Sequence, residues 1–234
     1  MRLIYFFVLL ANLSFSQTKT KVYFLPGQGS DERVFSKIVL DSNYEKHFIN
    51  YPTPSKGATM KEFAVVISKE IDTSSKFVLV GVSLGGMLCT ELVDIMHPQK
   101  TIIISSAKCS CELPMRYKFQ KHLPLNKCVP KRMIKMGARI LQPLVEPDRN
   151  KNKEVFKSML KKKDALYMKR TVNMIVNWDR KNYSPTIIHL HGTKDHTLPL
   201  RNVKPTRIIK DGSHMMVLTR GDEINAQIMD CLKQ

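Results

Sequence analysis

The chain has 234 residues, 43% hydrophobic and 25% charged, which suits one globular domain with a substantial core. No apolar run is long enough to span a bilayer as a mature helix. The 38 Lys and Arg outnumber the 20 Asp and Glu to give a net charge of +18. No nucleic-acid motif and little aromatic interleaving accompany that charge, so nucleic acid is not an expected partner.

Residues 1–16 read as a secretory signal peptide. Arg2 supplies the positive end, Leu3 to Leu13 is a short apolar run, and Ser14-Phe-Ser16 places small residues where a signal peptidase reads. Cleavage after Ser16 is favoured over an uncleaved anchor or a first buried strand, and implies an exported protein, periplasmic or secreted. Five cysteines follow: Cys89, Cys109, Cys111, Cys128 and Cys231. In an exported protein Cys128 could pair with Cys109 or Cys111, leaving at least one free thiol. Cys89 lies in an apolar helix and reads as core. A zinc site on Cys109, Cys111 and Cys128 is disfavoured because no fourth ligand is suitably spaced.

The elements alternate at first. Lys21 to Leu25 is a strand running into Pro26-Gly-Gln-Gly-Ser-Asp31, and Glu32 to Leu40 reads as helix. His47 to Tyr51 is a second short strand, closed by Pro52-Thr-Pro54. Met60, Phe63, Ala64, Ile67 and Ile71 recur at helical spacing and form one apolar face. Phe77 to Val82 is a buried strand, Met87 to His97 a helix stopped by Pro98, and Thr101 to Ile104 another buried strand. The rhythm breaks from Lys108 to Lys181, where helices are expected at about 115–122, 131–141 and 153–178. Strands resume at Thr186 to Leu190 and Thr206 to Ile209, and a last helix buries Ile224, Ile228 and Leu232. Alternation argues for a parallel sheet with helices on both faces. Residues 17–108 and 182–234 therefore form an α/β core, and 109–181 an all-helical cap inserted between two strands. There are no internal repeats.

Charge is concentrated in that insertion. Between residues 108 and 181 stand 20 basic and 6 acidic residues, or +14, densest at Lys161-Lys-Lys163. A solvated helix face is the commoner reason for such a run. The functional reading is attraction of an anionic substrate or an anionic membrane or envelope surface.

Three stretches carry chemistry. Gly81-Val-Ser-Leu-Gly-Gly86 ends a strand and opens a helix, the context in which Gly-x-Ser-x-Gly lifts a serine above a sheet edge. The helix start then offers free N–H groups to an anion. His191-Gly-Thr-Lys-Asp195-His-Thr-Leu-Pro199 leaves the carboxyl end of a strand, where catalytic groups collect in open α/β sheets. Asp211-Gly-Ser-His214 follows the last strand, so His214 could reach Ser83. A serine hydroxyl needs an imidazole to take its proton, and the imidazole needs a carboxylate to fix its tautomer. His191 and His196 are other candidates for the base; His191 reads as structural, and His196 would have to turn toward the same site as its neighbour Asp195. His97 and His122 have no supporting context. Ser105 and Ser106 lack the glycine frame. Asp179, beside Trp178, reads as a cap-to-core junction. Met215, Met216 and six methionines of the cap could form an adaptable pocket, though core packing is the ordinary role.

Together with Pro26-Gly-Gln-Gly-Ser-Asp31 and in this chain order, these motifs resemble the α/β-hydrolase superfamily, in its esterase/lipase-like branch with a helical cap. The likeness runs from about Lys21 to the end. It implies a mostly parallel, reduced sheet of about six strands. It also implies Ser83 as nucleophile, Asp195 as acid and His214 as base, with the backbone N–H groups of Leu84 and Gln28 as oxyanion hole. The chain departs from the family in having Pro26-Gly27 in place of His-Gly, which leaves Gln28 and Gly29 both open as donor. Tyr51-Pro-Thr-Pro54 replaces a Gly-rich loop, and the first two strands of the usual sheet are missing.

The expected function is a serine hydrolase cleaving a carboxylic ester or related acyl bond in a small molecule. No cofactor or metal is implied. The alternative is a non-catalytic protein of the same fold that binds an anionic ligand or surface through its basic cap. Acyl size and oligomeric state are not legible.

Overall fold

The computed structural model describes residues 19–122, 152–162 and 164–234. The signal segment 1–16, the helix expected at 131–141, Cys128 and Lys163 lie outside the described residues. Six strands form one sheet: β1 (Thr20–Leu25), β2 (Tyr44–Phe48), β3 (Phe77–Val82), β4 (Lys100–Ile104), β5 (Ile187–Gly192) and β6 (Arg207–Ile209). Their spatial order is β2-β1-β3-β4-β5-β6, and every neighbouring pair is parallel. This is the parallel, reduced sheet of about six strands that the sequence resemblance implies.

The central strand β3 is apolar throughout because both its faces are covered. All six residues of β3 are buried. Alternate residues feed two cores. Tyr23, Leu25, Leu79 and Ile103 pack on one face with Phe63 and Ile67 of α1 (Met60–Ser68) and Leu88 and Leu92 of α2 (Leu84–Met96). Val22, Phe24, Val80 and Ile104 pack on the other with Ile224 and Ile228 of the terminal helix (Gly221–Lys233). Helix α1 starts at a capping box: Thr59 Oγ1 accepts from Glu62 N at 3.1 Å, and Glu62 Oε2 accepts from Thr59 N at 2.9 Å.

Among the described residues, only helices and one short 3₁₀ turn stand between β4 and β5. These are α3 (Met115–His122), α4 (Lys153–Lys162) and α5 (Ala165–Val176). After β6 come α6 (Met216–Thr219) and the terminal α7 (Gly221–Lys233). No described helix is long and apolar enough to cross a membrane.

Four expectations are corrected. The helix expected from 153 to 178 is two helices. Asp164 interrupts it as an N-cap, its Oδ2 accepting from the N–H groups of Leu166 and Tyr167 at 2.9 and 3.0 Å. The helix expected from Glu32 to Leu40 is a single 3₁₀ turn, Glu32–Phe35, started by the Asp31 cap, with Val34, Phe35 and Ile38 buried in the core. The strand expected at 47–51 lies at 44–48. Parallel pairing to β1 sets Thr20 against Tyr44 and Phe24 against Phe48, and the ladder closes with Ile49 N on Phe24 O. Finally, Cys109 is bonded to Cys111, so neither is left for Cys128 or for a zinc ion.

Candidate active site

The order of the sheet reverses between β1 and β3. At such a point loops from adjacent strands part and leave a crevice at their carboxyl ends. Ser83 stands there, at the end of β3. Its backbone takes φ 52° and ψ −116°, outside the regions ordinary residues populate. Two glycines permit the turn. A Cβ at Gly85 would collide with the Leu25 carbonyl, and one at Gly81 with the Gly85 carbonyl. The turn is held by Ser83 N on Ile104 O at 3.0 Å and by Ser106 Oγ, which donates to Ser83 O at 2.7 Å. Ser106, which lacks the glycine frame of a nucleophile, thus grips the elbow from the end of the next strand.

The structure brings the three expected side chains together. His214 Nε2 lies 3.0 Å from Ser83 Oγ, and His214 Nδ1 lies 2.8 Å from Asp195 Oδ2. A carboxylate only accepts, so Nδ1 carries the proton and Nε2 presents a lone pair to the hydroxyl. Asp195 is 2% exposed. Its Oδ1 accepts from Thr197 N at 2.9 Å and Leu198 N at 2.7 Å. Burial pushes its pKa up, but His214, His191 and the Leu198 N–H more than offset this and hold the carboxyl below its ordinary value.

The remaining candidates fall elsewhere. His191 is wholly buried, near Asp195 rather than near Ser83. His196 is exposed. His97 caps α2 in the left-handed conformation, and His122 closes α3. Met215 and Met216 pack in the core on the α7 face of the sheet. The junction assigned to Asp179 is made by its neighbours: Trp178 Nε1 donates to Glu91 Oε1 at 2.7 Å, and Arg180 reaches Glu91 and Asp94.

The loop after β1 lies over the elbow, where a Cβ at Gly27 would sit 3.3 Å from Ser83 Cβ. Tyr51 Oη donates to Pro26 O at 3.0 Å, which gives the Tyr51-Pro-Thr-Pro54 stretch a role in holding this loop. Gln28 Nε2 donates to Thr171 Oγ1 at 2.7 Å and Met168 O at 3.2 Å, both on α5. Leu84 is the first residue of α2, so its N–H has no carbonyl one turn back to bond. Neither the side-chain tether of Gln28 nor the acceptor on Thr171 has a signal in the sequence, because they stand 143 positions apart.

No protein-family model matches the chain, and no curated protein matches it by sequence. Solved structures do match. The esterase EaEST from Exiguobacterium antarcticum superposes with a TM-score of 0.69 at 16% identity, covering 93% of each chain. Est816, an N-acyl homoserine lactone degrading enzyme, gives 0.66 at 17%, covering 90% of this chain and 92% of that one. The enol-lactonase from Burkholderia xenovorans LB400 gives 0.65 at 13%, covering 93% and 92%. Likeness over nine-tenths of both chains defines the class: this chain has the α/β-hydrolase fold.

Proposed function

We propose that the protein is a serine hydrolase that cleaves a carboxylic ester or related acyl bond of a small molecule. The observation that carries this reading is the hydrogen-bonded series from Ser83 Oγ through His214 to Asp195, at 3.0 and 2.8 Å. The esterases and lactonases among the structural neighbours agree with it. In this reading His214 Nε2 takes the Ser83 proton as Oγ attacks the acyl carbon. The oxyanion receives the N–H groups of Leu84 and Gln28. Collapse expels the alcohol, which takes the proton back from His214. A water, activated in turn by His214, releases the acid and restores Ser83.

The helices between β4 and β5 act as the cap over this site. Their positive charge draws anionic substrates or holds the protein at an anionic surface, and residues 1–16 direct export. N-terminal sequencing of the exported protein should begin at Gln17. For the chemistry, a fluorophosphonate should label the wild type and not Ser83→Ala. Ser83→Ala should lower turnover of a short aryl ester by on the order of a millionfold. Full activity in Ser83→Ala would end the proposal. Salt-sensitive binding of an anionic ligand without labelling would favour a non-catalytic binding protein.

A further inference from the structure

Two more histidines stand on β5, His191 close to Asp195 and His189 behind it against His191. His189 and His191 are both 0% exposed. His191 Nε2 is 2.7 Å from the Leu198 carbonyl oxygen and 3.6 Å from Asp195 Oδ2. His191 Nδ1 is 3.1 Å from His189 Nε2. A carbonyl only accepts, so His191 carries its proton on Nε2. The neutral ring then has a lone pair on Nδ1, and His189 must donate to it from Nε2. One carbonyl thereby sets two tautomers. Burial pushes His189 well below its ordinary pKa, and pushes His191 down against the opposing pull of Asp195, so both rings are neutral. The charged and titratable groups facing the pair are Asp195, His214 and Glu112 around His191, and Lys108 around His189.

The effect falls on the turn that aims the carboxylate. Leu198 gives its N–H to Asp195 Oδ1 and its carbonyl to His191. We propose that His191, with its tautomer set by His189, is a positioning residue for Asp195. Its N–H fixes the Leu198 turn and directs its positive end toward Oδ2, favouring the ionised carboxylate that faces His214. An apolar side chain of similar size would fill the space but leave the Leu198 carbonyl unbonded, loosening the turn whose Thr197 and Leu198 N–H groups hold Asp195 Oδ1. This inference rests on the reading of Ser83, His214 and Asp195 as the catalytic set.

Two measurements test it. Nitrogen NMR of the wild type should show His191 as the neutral Nε2–H tautomer at neutral pH, with its titration displaced below the ordinary range. Kinetics should compare His191→Leu with His191→Gln, whose amide can donate to Leu198 and accept from His189. His191→Leu should lose about tenfold to a hundredfold in kcat and in fluorophosphonate labelling of Ser83, with KM within about twofold. His191→Gln should recover most of both. An Nδ1–H tautomer, titration near pH 6.5, or labelling of His191→Leu at the wild-type rate would overturn the proposal. If His191→Leu does not fold, the tautomer and His191→Gln decide it. Absence of labelling in the wild type would instead overturn the hydrolase reading, and the tautomer would still decide whether His191 holds the turn.

Discussion

Ser83 shows how a single residue is held where it would not go alone. Its backbone conformation costs on the order of 1–3 kcal/mol, sustained because β3, α2 and Ser106 all fix it. His189 and His191 are held against their ordinary protonation instead. Their folded pKa values lie below the ordinary 6.5, so between those values and 6.5 the unfolded chain binds protons that the native chain does not. Stability from this pair is therefore complete above about pH 6.5 and is lost as pH falls below it, by up to about 1.4 kcal/mol per pH unit for each proton. Thermal unfolding followed from pH 7.5 to 5 should show this decline. His189→Gln, which can still donate to His191, should flatten the decline; an unchanged slope would mean that His189 is not held neutral.

At the scale of elements, α5 joins both halves of the site. Its middle receives the Gln28 amide through Thr171 and Met168, and beyond its C-cap Asn177 comes Trp178, which is tied to α2 through Glu91. Leu160 and Met168 also come within 4 Å of where a Cβ on Gly29 would stand. The loop proposed to supply an oxyanion donor is thus bolted to the helix above it. Gln28→Ala keeps its backbone N–H, yet it should lower kcat by about tenfold with little change in KM. Thr171→Val should do the same, and the double variant should be no worse than either; additive losses would show that the two side chains act separately. At the other end, Glu91→Ala leaves the Trp178 N–H and one face of Arg180 without a partner. It should cost about 3 kcal/mol of stability, read as a shift in the denaturation midpoint.

For the whole molecule, the charge of +18 is a statement about encounter rather than fold. With 20 of the basic residues between positions 108 and 181, an anionic ester should be captured faster than a neutral one of the same size. Raising ionic strength from about 0.02 to 0.5 M should lower kcat/KM for the anionic ester severalfold and leave the neutral ester nearly unchanged. Equal salt dependence for both would remove the charged cap from the account of specificity.

The sheet and its elbow were legible in the sequence because they depend on local order. Runs such as Phe77 to Val82 must be buried on both sides, and glycines at 81 and 85 are needed wherever such a turn is made. The series Ser83, Asp195, His214 was legible for a related reason: each follows a strand, and in a parallel sheet all strand ends that carry loops of this kind meet at one edge. What the sequence did not reveal depends on contacts between distant segments. The break at Asp164, the drift of β2 toward residue 44, the bond between Cys109 and Cys111, the Gln28 tether and the pairing of His189 with His191 behind the carboxylate were decided only in the folded chain. Each is a choice among partners of similar local merit, and only packing in three dimensions selects one.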